Sequence, residues 1–141
     1  MSGLSNYIKE GTLDHIFCAD LVDTALERPG TLYLACHSSD PTDDGTPLTE
    51  YLGGSYIRQI IRFNQADTDD DGTYVSNREL ITFVGMPNST ITHFAIWDAV
   101  SGGNMISSGG IIAVNGSGAT SIATGGGDTL SISASTLRMY L

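Results

Sequence analysis

The first part of the chain has the spacing of an amphipathic helix. Its apolar residues between positions 4 and 17 recur at short helical intervals, with one irregularity near Gly11. Arg28-Pro29-Gly30 is a helix stop followed by a turn signal. The pattern predicts one N-terminal helical segment over about residues 4–27.

Beyond residue 30 the apolar segments become short and are separated by turn residues. Residues 31–37 are nearly apolar throughout, which predicts a strand buried on both faces or central in a sheet. Alternation predicts a strand over residues 56–63, with Arg58 and Arg62 on one face. It predicts further strands over residues 79–84, 91–98, 105–114, 130–133 and 136–141. Gly109-Gly110 predicts a bulge or bend.

These elements predict an all-β chain. The architecture expected is a β-sandwich, jelly-roll or immunoglobulin-like, of about seven or eight short antiparallel strands with one N-terminal helix. At 141 residues, with 17 glycines, the chain is long enough for one core. We expect residues 1–141 to form a single domain.

Charge narrows the range of partners. Six Lys and Arg against 16 Asp and Glu give a net charge of −10. A nucleic-acid binder needs a basic patch, and anionic membranes repel an acidic chain, so we expect neither partner. The N-terminus has no signal-peptide pattern and no apolar run reaches a membrane span. We expect the protein to be made and used in solution.

No pattern of catalytic or cofactor-binding residues stands out. The two cysteines, Cys18 and Cys36, have no zinc spacing and are expected to be buried free thiols rather than a disulfide. His93 is interpreted as a packed or hydrogen-bonded sheet residue. Asp98 and Asp128 lie at turns, where aspartate binds backbone N–H groups. We therefore predict no catalytic residues, no cofactor and no enzyme.

The acidic stretch at 66–79 resembles a calcium loop at first sight. Asp67, Asp69 and Asp71 alternate as the ligands of an EF-hand do, but position 12 is Arg78 instead of a bidentate glutamate. The flanking segments also have the pattern of strands, not helices. The prediction is a solvated turn between two strands, with these three aspartates kept only as a weak calcium candidate.

Several short motifs occur in a familiar order along the chain. They are LSNY, LDH, LYLA, SDP, GGSYIRQ, THFAIWDA, SGGN and GDTL. In this order the chain resembles a family of small virion proteins of tailed bacteriophages, usually described as tail fibre or minor tail proteins. Cys36, Ile57, the spacer 18–30 and the acidic insert at 67–71 depart from the family pattern.

The resemblance implies structural roles for the motif residues. It implies no catalytic residue in this chain. The glycine pair forms a turn, Arg58 and Gln59 are strand residues able to bind loop carbonyls, and Trp97 lies in the core. The structural motif residues are Gly54, Tyr56, Arg58, Gln59, His93, Trp97, Asp98 and Asp128.

The resemblance also implies a virion protein made in the bacterial cytoplasm, and leaves its place in the virion open. A compact acidic sandwich without a fibre shaft favours a capsid decoration or cement protein, binding the major capsid protein as a homotrimer. The alternative is a tail fibre, adaptor or minor tail protein that binds tail proteins. A third possibility is a glycan-binding module that uses Tyr7, Tyr51 or Tyr74.

Two segments are the predicted partner surface: the helix from Leu4 to Phe17 and the long loop 38–55. Both carry apolar groups that a lone sandwich need not bury. The interface candidates are Leu4, Tyr7, Ile8, Leu48, Tyr51 and Leu52. The alternative for the helix is that it covers one end of its own sandwich.

Overall fold

The computed structural model describes residues 3–17, 29–111 and 121–140. One α-helix, α1 (Asn6–Phe17), and a short 3-10 helix (Pro47–Thr49) accompany twelve strands in these ranges. The strands are β1 (Gly3–Leu4), β2 (Leu32–His37), β3 (Gln59–Ile61), β4 (Asp67–Asp69), β5 (Gly72–Ser76), β6 (Ile81–Met86), β7 (Ser89–Ile91), β8 (His93–Trp97), β9 (Met105–Gly110), β10 (Ile122–Thr124), β11 (Asp128–Ile132) and β12 (Arg138–Tyr140).

The strands form four antiparallel sheets. The largest has the order β1-β9-β8-β2-β3, and the others are β10-β7, β11-β6 and β12-β5-β4. The predicted all-β, sandwich-like fold with an N-terminal helix is confirmed. The strands are shorter and more numerous than predicted, partly because the predicted strand 91–98 is broken at Thr92 and the acidic stretch forms two strands of its own.

The large sheet is apolar on both faces. Since side chains alternate along a strand, Leu34 and Cys36 of β2 enter one core cluster while Ala35 enters another. The first cluster lies against β6, whose Phe83 is 1% exposed. β2 lies between β3 and β8, so the prediction of a central strand at 31–37 is confirmed.

The second cluster is a smaller group of buried apolar residues from β2, β8 and β9. These are Ala35, Ala95, Trp97 and Met105. The start of α1 lies near this cluster, because Ser5 N–H donates to Ile106 O at 3.0 Å and the Ser5 hydroxyl donates to Met105 O.

The N-terminal helix ends at Phe17 in the described residues, and the predicted extension to residue 27 lies outside them. It is attached through its first turn, where Asn6 N–H donates to Asp43 O at 2.8 Å and Lys9 binds the Asp43 carboxylate. Within the described ranges, no helix has the length and apolar character needed to cross a membrane.

The predicted strand at 56–63 is mostly irregular. β3 covers only residues 59–61, and the preceding Tyr56 and Arg58 direct their side chains to Glu50. Arg58 is buried whereas Arg62 is exposed, so the two arginines do not share a solvent-facing side.

The predicted bulge at Gly109-Gly110 is wrong. Both glycines pair in register with Phe94 and His93, and the register shift lies instead between Ile96 and Trp97. The physical reason is that glycine fits a regular antiparallel ladder when its neighbours supply the packing. The predicted continuation of this strand over 112–114 lies outside the described residues.

The glycine pair at 53–54 forms a turn that packs on β6. Gly54 has φ +57°, and a Cβ there would lie 2.4 Å from Gly85 O. Ser55 N–H donates to the same carbonyl at 2.9 Å. Only glycine permits both the left-handed backbone and the close approach, so this turn fixes where the chain re-enters the large sheet.

Candidate functional site

A buried ion pair lies where the glycine turn brings residues 50 and 58 together. Arg58 Nε donates to Glu50 Oε1 at 2.9 Å and Arg58 Nη2 donates to Glu50 Oε2 at 2.8 Å. The side chains are 4% and 10% exposed. Two parallel charge-assisted bonds fix both the distance and the orientation of the pair.

The same guanidinium holds the loop that follows β8. Arg58 Nη1 donates to Ala99 O and to Gly102 O, both at 2.8 Å. Its Cζ lies 4.2 Å from the centroid of the Trp97 ring, within the range of a cation–π contact. Asp98 closes this loop by accepting from Asn104 N–H at 2.7 Å and from Asn104 Nδ2 at 3.0 Å.

Tyr56 and Cys36 extend the network towards β2. The Tyr56 hydroxyl donates to Glu50 Oε1 and accepts from Cys36 N–H, each at 3.0 Å. Burial raises the pKa of the Tyr56 hydroxyl and of the Cys36 thiol, so both groups stay protonated at neutral pH. Cys36 is a buried free thiol, whereas Cys18 lies outside the described residues.

His37 lies beside this network with none of its surface exposed. Its Nδ1 is hydrogen-bonded to Thr49 Oγ1 at 2.8 Å, and its ring is nearly parallel to that of Trp97, with centroids 6.3 Å apart. Burial lowers the pKa of His37 to about 4, so the imidazole is neutral at neutral pH. Among the described residues, neither His37 Nε2 nor Trp97 Nε1 has a hydrogen-bond partner.

The charged groups of this network bind each other and nearby carbonyls. Such an arrangement holds loops in place rather than presenting a nucleophile or base to a substrate. The absence of catalytic activity stays a prediction.

Three other motif residues make local contacts. His93 Nδ1 lies 2.9 Å from Thr92 Oγ1 on a paired strand. Gln59 Nε2 donates to Ile57 O at 3.1 Å, and Asp128 accepts from Gly125 N–H at 2.6 Å within the turn before β11.

The acidic stretch is a two-stranded hairpin with Asp70 and Asp71 at its turn. Asp69 accepts from Arg138 Nη1 at 3.0 Å and from the Tyr140 hydroxyl at 2.8 Å. These contacts, led by the Tyr140 hydrogen bond, lower the pKa of Asp69. Asp69 thus joins the hairpin to β12.

The weak calcium candidate does not form a ligand group in this geometry. Asp67 and Asp69 belong to β4, and Asp71 lies in the turn, where its N–H donates to Asp69 Oδ1 at 2.9 Å. In the part of the chain that the structure describes, no three His, Cys, Asp or Glu side chains come together to hold a metal ion.

The predicted interface residues differ in exposure. Leu48 is 90% exposed, Leu52 is 86% exposed and Tyr7 is 41% exposed. Leu4 and Tyr51 are partly buried. The prediction of Ile8 as an interface residue is corrected, because Ile8 is only 9% exposed where the first turn of α1 folds against the sheet.

The structure also exposes apolar residues that were not among the predicted interface residues. Leu13, Ile16 and Phe17 of α1 are 56%, 60% and 75% exposed. Their i, i+3, i+4 spacing places them on one side of the helix. The spacing was visible in the sequence, but it does not say whether such a stripe faces the chain's own core.

Two further structural residues were missed. Glu50, the partner of Arg58, was not distinguishable from the other acidic residues of its loop. Asn77 is fully buried and donates through Nδ2 to Glu79 O and Ser133 O, at 2.9 and 3.0 Å. Its Oδ1 accepts from Leu137 N–H at 2.9 Å, so one amide joins three segments.

The tyrosines considered for glycan binding have different surroundings. Tyr51 borders a polar groove of about 450 Å³, but its hydroxyl already donates to Thr90 O and accepts from Thr90 N–H. Tyr74 packs on Tyr140, with ring centroids 5.2 Å apart, and beneath Arg138. Tyr7 projects from α1.

Comparison with known proteins agrees with the resemblance in the sequence. The model of one family, described as podophage GP4 fiber I protein gp80, matches residues 3–139. No curated protein matches the chain. The family match confirms the prediction of a phage virion protein, and the protein is therefore a structural component of a virion. Because the match covers almost the whole sequence, the chain belongs to the podophage GP4 fiber I protein gp80 family.

Proposed function

We propose that this protein is a structural part of the phage tail fibre apparatus. The observation that carries the proposal is the family match over residues 3–139, whose description is that of a fibre protein. That description favours the tail alternative over capsid decoration, which was the first expectation from the sequence. Capsid decoration gains no support from the match.

The fold suits a connecting part of an assembly. The Arg58–Glu50 pair and the Asn77 amide hold long loops against the sheets through buried hydrogen bonds. Satisfied buried polar networks rigidify a structure. A rigid body with fixed loops presents the same surface to every copy of its partner.

The loop 47–52 is the surface that we assign to partner binding. Leu48 and Leu52 are almost fully exposed, and the segment between them is anchored to β2. Burying a leucine side chain contributes roughly 1.5–3 kcal/mol. Two such side chains on a held segment are therefore enough to matter for association with a tail protein or with further copies of this chain.

We also propose a homotrimeric state. Repeated copies increase binding to a repeated or symmetric partner through effective concentration, without new contacts. Light scattering of the purified protein at several concentrations tests this state directly. A monomer at all concentrations would contradict the trimer proposal without contradicting the tail assignment.

The location in the virion is the main test. Cryo-electron microscopy of virions of the phage that encodes this chain is expected to show its density at the tail, in a small number of copies. Density over the capsid in hundreds of copies would overturn the tail proposal in favour of decoration. Absence from the virion would contradict both.

A paired substitution tests the binding surface. Leu48→Ser with Leu52→Ser is expected to weaken incorporation or self-association at least about tenfold, which corresponds to about 1.4 kcal/mol. Leu80→Ser with Val84→Ser is the matched control, since these residues are also exposed, at 61% and 56%, but lie outside the loop. Equal effects of the two pairs would contradict the assignment.

A further inference from the structure

Residues 49–51 continue the edge of the large sheet beyond β3. Ser38 N–H donates to Thr49 O at 2.8 Å, Tyr51 N–H donates to Cys36 O at 3.1 Å, and His37 bridges Glu50 in antiparallel register. The segment that carries Leu48 and Leu52 is thus held on β2 by a few backbone contacts.

One buried side chain links this segment to the centre of the sheet. His37 accepts or donates one hydrogen bond at Nδ1, to Thr49 of the same segment, and its ring lies parallel to Trp97. Because His37 is completely buried, any change in its charge acts where water cannot screen it.

The groups facing His37 cannot accommodate a second positive charge. The loop segment supplies the Thr49 hydroxyl and Glu50, the following segment supplies Arg58, and β8 supplies His93 and Trp97. Glu50 is the one carboxylate in this set.

Both oxygens of Glu50 are already engaged. They accept from Arg58 Nε, from Arg58 Nη2 and from the Tyr56 hydroxyl. A protonated imidazole also has two N–H donors, and Nε2 has no acceptor among the described residues. Proton uptake would therefore leave an uncompensated buried charge beside Arg58.

We propose that His37 is an acid-sensitive latch, whose protonation releases residues 47–52 from the edge of β2 while the rest of the sandwich stays folded. Release exposes the imidazole to water, which removes the cost of its charge. It also breaks the backbone contacts that hold Leu48 and Leu52 in place and separates Glu50 from Arg58, so the open form is a minor population of the kind that hydrogen exchange detects. This inference concerns the chain alone and does not depend on where it lies in the virion.

The sign follows from the two states of the histidine. Burial lowers the pKa of His37 to about 4 in the closed state, whereas a solvated histidine has a pKa near 6.5. The open state therefore binds a proton first as the pH falls. The opening equilibrium constant is expected to rise by a factor approaching tenfold per pH unit below pH ~6.5, and about 150-fold by pH ~4.

Hydrogen exchange of the full chain tests the latch between pH 7 and pH 5, after correction for intrinsic exchange rates. Protection of the amides at 49–51 is expected to fall about tenfold per pH unit below pH ~6.5, and to lie well below that of the amides of β6 and β11, whose exchange requires global unfolding. Protection at 49–51 equal to that of β6 and β11, or no loss with falling pH, would overturn the proposal.

Two substitutions separate His37 from its neighbours. His37→Gln keeps a neutral polar side chain and is expected to abolish the extra pH dependence at 49–51. His93→Gln is the matched control, because His93 pairs with His37 in the sheet, and it is expected to keep the dependence. The same response in the His37 variant as in the unmodified protein would contradict the latch.

A second measurement covers the case in which His37→Gln fails to fold. The imidazole resonances of the unmodified protein can be titrated by nuclear magnetic resonance. Protonation of His37 is expected to coincide with chemical-shift changes or broadening of the 49–51 amides. Titration of His37 with these amides unchanged would refute the proposal.

Discussion

Replacing Arg58 with methionine is expected to destabilise the protein strongly. Methionine keeps much of the length of the side chain but removes its charge and donors. The Glu50 carboxylate, only 10% exposed, is then left without its cation. Ala99 O and Gly102 O lose their donor, and Trp97 loses the guanidinium above its ring.

The magnitude follows from the burial of the pair. Breaking a buried ion pair from one side costs about 3–5 kcal/mol, mostly because the remaining charge is uncompensated. Domains have total stabilities of about 5–15 kcal/mol. Arg58→Met should therefore remove a large share of the free energy of unfolding.

Urea unfolding followed by fluorescence measures this change. Trp97 is the single tryptophan of the chain and lies directly against Arg58, so it reports on the affected region. With a slope of about 1–3 kcal/mol/M in urea, the midpoint is expected to fall by about 2 M. Circular dichroism serves as a second probe that does not depend on the tryptophan environment.

A double-mutant cycle separates the ion pair from side-chain volume. Glu50→Gln removes the buried charge and keeps an acceptor for Tyr56, so the double variant should lose less than the sum of the two single variants. Arg58→Lys should fall between the unmodified protein and Arg58→Met, since lysine keeps the charge without the bidentate geometry. A loss below about 1 kcal/mol in Arg58→Met, or strictly additive losses, would refute the reasoning.

Three further predictions concern the backbone, the thiol and pH. Gly54→Ala should lower the thermal unfolding midpoint more than Gly102→Ala. Both glycines have φ near +60°, but only a Cβ at Gly54 would meet a backbone oxygen. Equal decreases in the midpoint would contradict this. In a Cys18→Ser background, Cys36 should react with a thiol reagent only after denaturation, because burial raises its pKa; rapid labelling of the folded protein would exclude this. The pKa of His37 is about 4 in the folded protein, against 6.5 for a solvated histidine, so it contributes stability above pH ~6.5 that is lost as the pH falls. The free energy of unfolding measured with urea is expected to decrease by about 2 kcal/mol between pH 7 and pH 5. His37→Gln should lack that part of the pH dependence, and an unchanged slope would argue against His37 as its source.

The helix shows which features the pattern of apolar residues predicts and which it does not. The spacing of Leu13, Ile16 and Phe17 predicted a helix, and α1 contains all three. It did not predict that they stay exposed while Ile8 is buried. Helical periodicity depends on local backbone geometry, whereas the choice of the buried side depends on which distant segment the first turn binds, here Asp43 and Ile106.

Arg58 shows the same difference between what the sequence predicted and what the tertiary structure decided, here in the candidate site. Alternation placed it on a strand with Arg62, on one face. Its burial was decided by Glu50, which the turn at Gly53-Gly54 brings within hydrogen-bonding distance, and by the carbonyl groups of residues 99 and 102. The resemblance had singled out Arg58 as able to bind loop carbonyls, and it does so, but no local rule predicts its burial against Glu50.

The sequence by itself determined the all-β class, the N-terminal helix, the central strand at 31–37, the acidic turn and the order of the phage motifs. These features depend on side-chain alternation, turn residues and local charge, all of which act between near neighbours. Only the tertiary structure decided which polar groups are buried together, since Asp69 meets Arg138 and Asn77 meets Ser133 across more than fifty residues. Such pairs form only after the sheets assemble, because the chain must first lose the entropy of closing long loops.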